Sequence, residues 1–170
     1  AKIGAFVNSY EPAPSNFKLL KKIIIQNKFS QNTTLHNTAV SNFIGTSKLY
    51  LQKNNTGGHQ LGFNLLQTDN SIEVEVTKIN LDKIDFAKID VEGSELHVLE
   101  GMKSLPNKIL IEFSPQKLQN NGTKLEDFFK FIQKFSVKEV SKNGLIEADF
   151  DKLIKINFDN QTNERSLFLY

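Results

Sequence analysis

The sequence predicts an α/β sandwich with a mainly parallel sheet, antiparallel C-terminal strands and an inserted β-hairpin. Three observations carry that expectation. Two short, largely apolar runs, Phe86–Val91 and Ile109–Phe113, have the pattern of strands buried on both faces of a parallel sheet, and they flank a helical segment. Thr46–Gln52 and Ile72–Ile79 alternate apolar with polar residues, as a half-exposed antiparallel pair does. Val137–Val140, Leu153–Phe158 and Ser166–Tyr170 are further strand candidates towards the C-terminus.

The elements follow in order. Ile3–Tyr10 reads as a strand that stops at Glu11-Pro12, because proline has no amide to donate and biases Glu11 away from helix. A helix follows, with Ser15 as N-cap after Pro14 and an apolar stripe of Phe17, Leu20 and Ile24. Thr33–Val40 reads as the second strand. Between the two alternating runs, residues 54–60 are polar and glycine-bearing, a long mobile loop that could form a lid. Leu96, Val98, Leu99, Met102 and Leu105 place a helix between the two buried strands, which makes a crossover unit. Thr123-Lys124-Leu125-Glu126 fits a capping box, and Leu125, Phe128, Phe129 and Ile132 supply the apolar face behind it.

A chain of 170 residues fits a single domain. Apolar residues make 39% and charged residues 24%, which excludes a disordered, collagen-like or disulfide-scaffold chain. With no cysteine there is no disulfide, no thiolate nucleophile and no cysteine metal site. The net charge of +2 comes from interspersed signs, so neither nucleic acid nor an anionic membrane is an expected partner. The longest apolar stretches, Ile23–Ile25 and Ile109–Ile111, are far short of the ~18–20 residues of a spanning helix. No export signal is visible, and the expected location is cytoplasmic.

In an open α/β sheet, ligands bind beyond the carboxyl ends of the strands. That rule selects Glu11 after the first strand, Asn37 and Ala39 near the end of the second, Asp90 and Glu92 after the third core strand, and Glu112 at the end of the fourth. Several carboxylates are thus expected on one edge. Glu11 is placed to accept from vicinal ribose hydroxyls; the alternative is a surface acid before a proline turn. Asp90 and Glu92 read as an acidic turn facing a ligand, whereas Ser94 and Glu95 read as helix capping. His36 and His97 fit structural positions. His59 is carried by the glycine-bearing loop, either over a pocket as a general base or simply exposed. No metal is expected, since an acidic turn alone is a weak signal for one.

Four segments in register resemble one family: Tyr10-Glu11-Pro12-Ala13-Pro14-Ser15-Asn16-Phe17, Asn37-Thr38-Ala39-Val40-Ser41, Lys88-Ile89-Asp90-Val91-Glu92-Gly93-Ser94-Glu95 and Ile111-Glu112-Phe113. Together they look like the FkbM family of S-adenosylmethionine-dependent methyltransferases, over roughly residues 5–115. The resemblance implies a Rossmann-like class I methyltransferase sandwich, S-adenosylmethionine as cofactor, and methylation of a hydroxyl oxygen on a sugar or natural-product-like acceptor. On that reading Glu11 holds the cofactor ribose, Asn37, Ala39 and Val40 border the adenine, and Asp90 lies near the transferring methyl. Asp90, Glu92 and His59 are the candidate proton acceptors. Members of the family open with a strand leading to an acidic residue and Gly-x-x-x-Gly. That turn is not found ahead of Glu11, so residues 1–170 are expected to form one methyltransferase-like domain truncated at its N-terminus relative to the family. The competing expectation is a non-catalytic module of the same fold that binds partners or homodimerises through an exposed edge.

Overall fold

The computed structural model describes residues 1–53, 55–62, 70–154 and 164–170, and these form two compact units, Ala1–Thr77 and Lys78–Tyr170.

The first unit begins with strand β1 (Val7–Tyr10), helix α1 (Pro14–Gln26) and strand β2 (Thr33–His36), and β1 pairs parallel to β2 across the helix. β1 is shorter than the run Ile3–Tyr10. Gly4, at φ +84°, closes a turn by donating its amide to the Ala1 carbonyl, and Ile3 and Phe6 stay exposed. The helix starts at Pro14, whose missing amide would be unpaired there in any case. Its N-cap is Ala13 and not Ser15, and no side chain caps it. Phe17, Leu20 and Ile24 make the less exposed stripe, as their spacing requires.

The expected strand Thr33–Val40 is two strands. The Asn37 side chain donates to the Glu11 and Pro12 carbonyls, Thr38 Oγ1 donates to the Glu75 carbonyl, and the chain leaves β2 for strand β3 (Ala39–Val40) in a different sheet. That sheet has the order β3, β6 (Ser71–Thr77), β4 (Gly45–Tyr50), β5 (Gln60–Leu61). The antiparallel β4–β6 pair is the expected hairpin, with Ser47 opposite Val74 and Leu49 opposite Ile72. Ala13, Ala39, Leu49, Val74 and Val76 form the core of this unit.

The second unit holds strand β7 (Ala87–Ile89), helix α2 (Glu95–Glu100), strand β8 (Ile109–Phe113), helices α3 (Pro115–Asn120) and α4 (Leu125–Ile132), strands β9 (Val137–Ser141) and β10 (Gly144–Glu147), helix α5 (Phe150–Ile154) and strand β11 (Arg165–Leu169). The strand order is β10-β9-β11-β8-β7. β7 and β8 pair parallel across α2, the crossover unit that the sequence predicts. β11 runs antiparallel to both β8 and β9.

Two expectations are corrected here. The architecture is mixed α/β rather than mainly parallel: among the described residues three strand pairings are parallel and five antiparallel. Parallel neighbours need a long crossover connection, whereas the tight β9–β10 turn and the return of β11 between β8 and β9 give antiparallel pairs. β8 is also not buried on both faces. Ile109, Ile111 and Phe113 are fully buried, while Leu110 and Glu112 between them are half-buried. One face of β8 is therefore core, and the other, with Leu110 and Glu112, is half-buried.

Phe113 stacks on Phe128 and meets Phe129 at a tilt, with ring centroids 5.5 Å apart in each pair, and Phe150 meets Phe129 edge-on at the same distance. This cluster packs α4 and α5 on the buried side of the sheet. The capping box is not formed: Lys124 is the N-cap, while the Thr123 amide donates to Leu118 at the end of α3, which holds Thr123 one residue outside the cap. Leu153 belongs to α5, and the rest of the expected strand Leu153–Phe158 lies, from residue 155 onward, outside the described residues.

Candidate functional site

Asp90 follows β7 directly, and Glu112 is the fourth residue of β8. The parallel register pairs Lys88 with Leu110 and Ile89 with Ile111, so its next step puts Asp90 beside Glu112 at the carboxyl ends of both strands. One carboxylate oxygen from each of Asp90, Glu92 and Glu112 lies within 4.8 Å of the other two. The sequence-predicted pair Asp90 and Glu92 is thus brought together, with Glu112 as a third member.

The turn that carries Glu92 has left-handed backbone at two consecutive residues, Glu92 at φ +57° and Gly93 at φ +102°. Positive φ at both central positions is the pattern of a type I′ turn, unfavourable for a side-chain-bearing residue such as glutamate. It is braced from several sides. The Glu95 carboxylate accepts from the Val91 amide at 3.3 Å and the Gly93 amide at 3.1 Å. Asn121 Nδ2 donates to Ser94 Oγ, so that hydroxyl does not cap α2. Lys117 of α3 pairs its ammonium with Glu92 and Glu164, and reaches Glu112 at 3.8 Å.

These contacts set the charge states. Burial alone would raise Asp90, but the Lys88 ammonium 2.6 Å away outweighs it and holds Asp90 below the usual carboxylate range. Burial pushes Glu112 up to about 7, and the Asp90 and Glu164 carboxylates push the same way. Lys117 is pulled down by burial and held up more strongly by its Glu164 and Glu92 partners, so its pKa is raised and it stays charged. Two neighbouring carboxyls with pKa values driven apart form an arrangement suited to acid–base work, one ionised and one able to exchange a proton near neutrality.

The sequence selects Glu112 by position without giving it a catalytic or binding role, and it does not select Lys117. Glu112 had a signal, its place at the end of a core strand. Lys117 had one too: Ser114-Pro115 is an N-cap followed by proline at the first helical position, and Ser114 Oγ does accept from the Lys117 amide.

The other candidates lie in the first unit. Glu11 follows β1, its Oε1 accepting from the Ala13 amide at 2.8 Å. Asn37 fixes that corner by donating to the Glu11 and Pro12 carbonyls at 2.8 and 3.1 Å. A half-buried carboxylate held by one oxygen can still accept at the other, which is what binding a vicinal diol demands, so Glu11 fits a ribose. Ala39 and Val40 are buried in β3. The loop that carries His59 is fastened to α1 by Asn16 Nδ2 donating to the Thr56 carbonyl. His59 Nδ1 accepts from the Gln52 amide at 3.1 Å. With that lone pair engaged, the neutral ring carries its proton on Nε2, which makes the free nitrogen a donor.

Among the described residues no helix is long and apolar enough to cross a membrane. No curated protein and no solved structure matches the chain. A family model described as the methyltransferase FkbM domain matches residues 3–142. The acidic turn and both parallel crossover units fall inside that match, and the chain belongs to the FkbM methyltransferase-domain family.

Proposed function

We propose that the protein is an S-adenosylmethionine-dependent methyltransferase that methylates a hydroxyl oxygen of a sugar or natural-product-like small molecule. Membership of the FkbM family supports methyl transfer. The observation that carries the choice of a hydroxyl acceptor is the convergence of Asp90, Glu92 and Glu112 at the ends of β7 and β8, where burial pushes Glu112 up to about 7.

When bound, S-adenosylmethionine supplies a methyl group on a cationic sulfonium. Glu11 would accept from the ribose hydroxyls, and Asn37, Ala39 and Val40 would border the adenine. A neutral alcohol must lose its proton as its oxygen takes the methyl. The Asp90–Glu112 pair receives that proton, a contribution of ~10²–10⁴-fold for a positioned base. Glu92, tied to Lys117, orients the acceptor by hydrogen bonding. His59 serves as a donor through Nε2 rather than as the base.

The test is transfer of isotope-labelled methyl from S-adenosylmethionine to a panel of sugar and polyketide-like alcohols. Labelled product that disappears in Asp90→Asn supports the proposal. Label appearing on amines or carboxylates and on no alcohol contradicts it.

A second reading, a non-catalytic module that homodimerises, draws on β10, an edge strand whose four residues are all exposed, Leu145 and Ile146 among them. Exposed apolar edges invite strand pairing. Light scattering on the purified chain decides it: a dimer that binds no cofactor favours this reading, and a monomer that binds cofactor removes it.

A further inference from the structure

Glu95 is 1% exposed, and among the described residues its Oε2 has no hydrogen-bond partner. A buried carboxyl is costly where a leucine or methionine would pack at no such cost, so its presence calls for a physical reason. The reason lies in the turn before it. The left-handed backbone at Glu92 and Gly93 points the Val91 and Gly93 amides inward, and Glu95 Oε1 accepts from both. Backbone amides buried without a partner are rare, and no strand or helix partner serves these two. Ser94 is the N-cap residue and Glu95 lies in the first turn of α2, as their sequence positions suggest, but the Glu95 carboxylate folds back to accept from the turn before the helix.

We propose that Glu95 is a positioning residue: by binding the Val91 and Gly93 amides it fixes the left-handed Glu92–Gly93 turn, and through it the places of the Asp90 and Glu92 carboxylates. The inference deepens the methyltransferase reading, on which the meaning of those places rests. Asp90 lies one residue before Val91, and Glu92 lies between the two bonded amides, so the backbone that carries both carboxylates is held by the Glu95 contacts. Glu92 is also the charged neighbour that helps burial raise Glu95 to about 7. Lys117 closes the turn from the other side, its ammonium on Glu92 and its carbonyl against Gly93.

The experiment compares wild type, Glu95→Gln and Glu95→Leu by NMR at pH 8, reading amide exchange at Val91 and Gly93 and the carboxyl titrations of Asp90 and Glu112. Charge-assisted hydrogen bonds are about twice as strong as neutral ones, so a graded series is expected. Exchange at the two amides rises about three- to tenfold in Glu95→Gln and about ten- to a hundredfold in Glu95→Leu, while the β8–β11 amides keep their protection. The Asp90 and Glu112 titrations move together with the exchange, which a merely space-filling Glu95 would not cause. If Glu95→Leu does not fold, the Glu95→Gln step decides alone. Unchanged exchange at Val91 and Gly93, or unchanged Asp90 and Glu112 titrations beside faster exchange, overturns the proposal. None of these readouts uses cofactor or acceptor, so an absence of methyl transfer would sink the functional reading without touching this result.

Discussion

Gly93 packs against the backbone of Lys117, so closely that a Cβ on Gly93 would lie 2.3 Å from the Lys117 carbonyl oxygen. The same lysine returns its ammonium to Glu92, one residue earlier in the turn. Helix α3 thereby touches the acidic turn with both its backbone and its charge, and the turn keeps its shape only while α3 stays in place.

Gly93→Ala is therefore expected to be severe. The methyl group must displace backbone, which costs ~1–3 kcal/mol, and it forces a side chain into left-handed φ, a further ~1–2 kcal/mol. Urea unfolding should show a loss of about 2–5 kcal/mol. An unchanged midpoint would mean that the turn has room the packing denies.

Lys117→Met keeps the aliphatic stem and removes the charge that holds Glu92, Glu112 and Glu164 together. Hydrogen bonds to charged groups are worth ~1.5–3 kcal/mol each, and here the partners left behind also repel one another. The variant is expected to lose about 2 kcal/mol at pH 8 and less at pH 5, where protonation relieves the repulsion. Thermal melts at the two pH values check it; equal losses would contradict the pairing.

The raised acids give wild-type stability a pH slope. Glu95 and Glu112 both have folded pKa values of about 7, above their ordinary 4.5, each chiefly through burial. Between about pH 4.5 and 7 the folded protein binds more protons at these sites than the unfolded chain does. Stability from them is thus complete below about 4.5 and is lost as pH rises through 7. Asp90, with its pKa lowered, acts the opposite way and loses its contribution as pH falls below its ordinary value of 3.8. Denaturation midpoints should fall from pH 5 to pH 8 in wild type, with a shallower slope in Glu112→Gln. A flat profile would contradict the raised pKa values of both acids.

Phe113→Ala tests the link between core and site. Phe113 is fully buried on the core face of β8, next to Glu112 on the other, and its ring packs against Phe128 and Phe129. Truncation is expected to cost ~3–5 kcal/mol by calorimetric or urea unfolding. A cost below ~1 kcal/mol would mean that the aromatic cluster does not hold β8.

The parts of this molecule that were legible in the sequence are those set by periodicity. The β7–α2–β8 crossover, the β4–β6 hairpin and the apolar stripe of α1 follow from which residues are apolar and at what spacing. Asp90 and Glu92 were legible because a strand end before a crossover helix is a recognisable place. What stayed hidden depends on contacts between distant segments. Asn37 breaks the second strand by bonding to the carbonyls of Glu11 and Pro12, and Thr123 is drawn out of its cap by Leu118. Lys117 joins the acidic cluster only because α3 folds back over β8. Glu95 sits in the first turn of α2, as its sequence position suggests, but its bonds to the Val91 and Gly93 amides depend on a turn geometry that this position does not reveal.

The measurement that tests the central claim most directly is a calorimetric titration of S-adenosylmethionine into this chain, with Glu11→Ala beside it. The account predicts binding at micromolar strength in wild type, weakened about tenfold or more in the variant by loss of the ribose-facing carboxylate. Absence of binding in wild type, or equal binding in both, would contradict it.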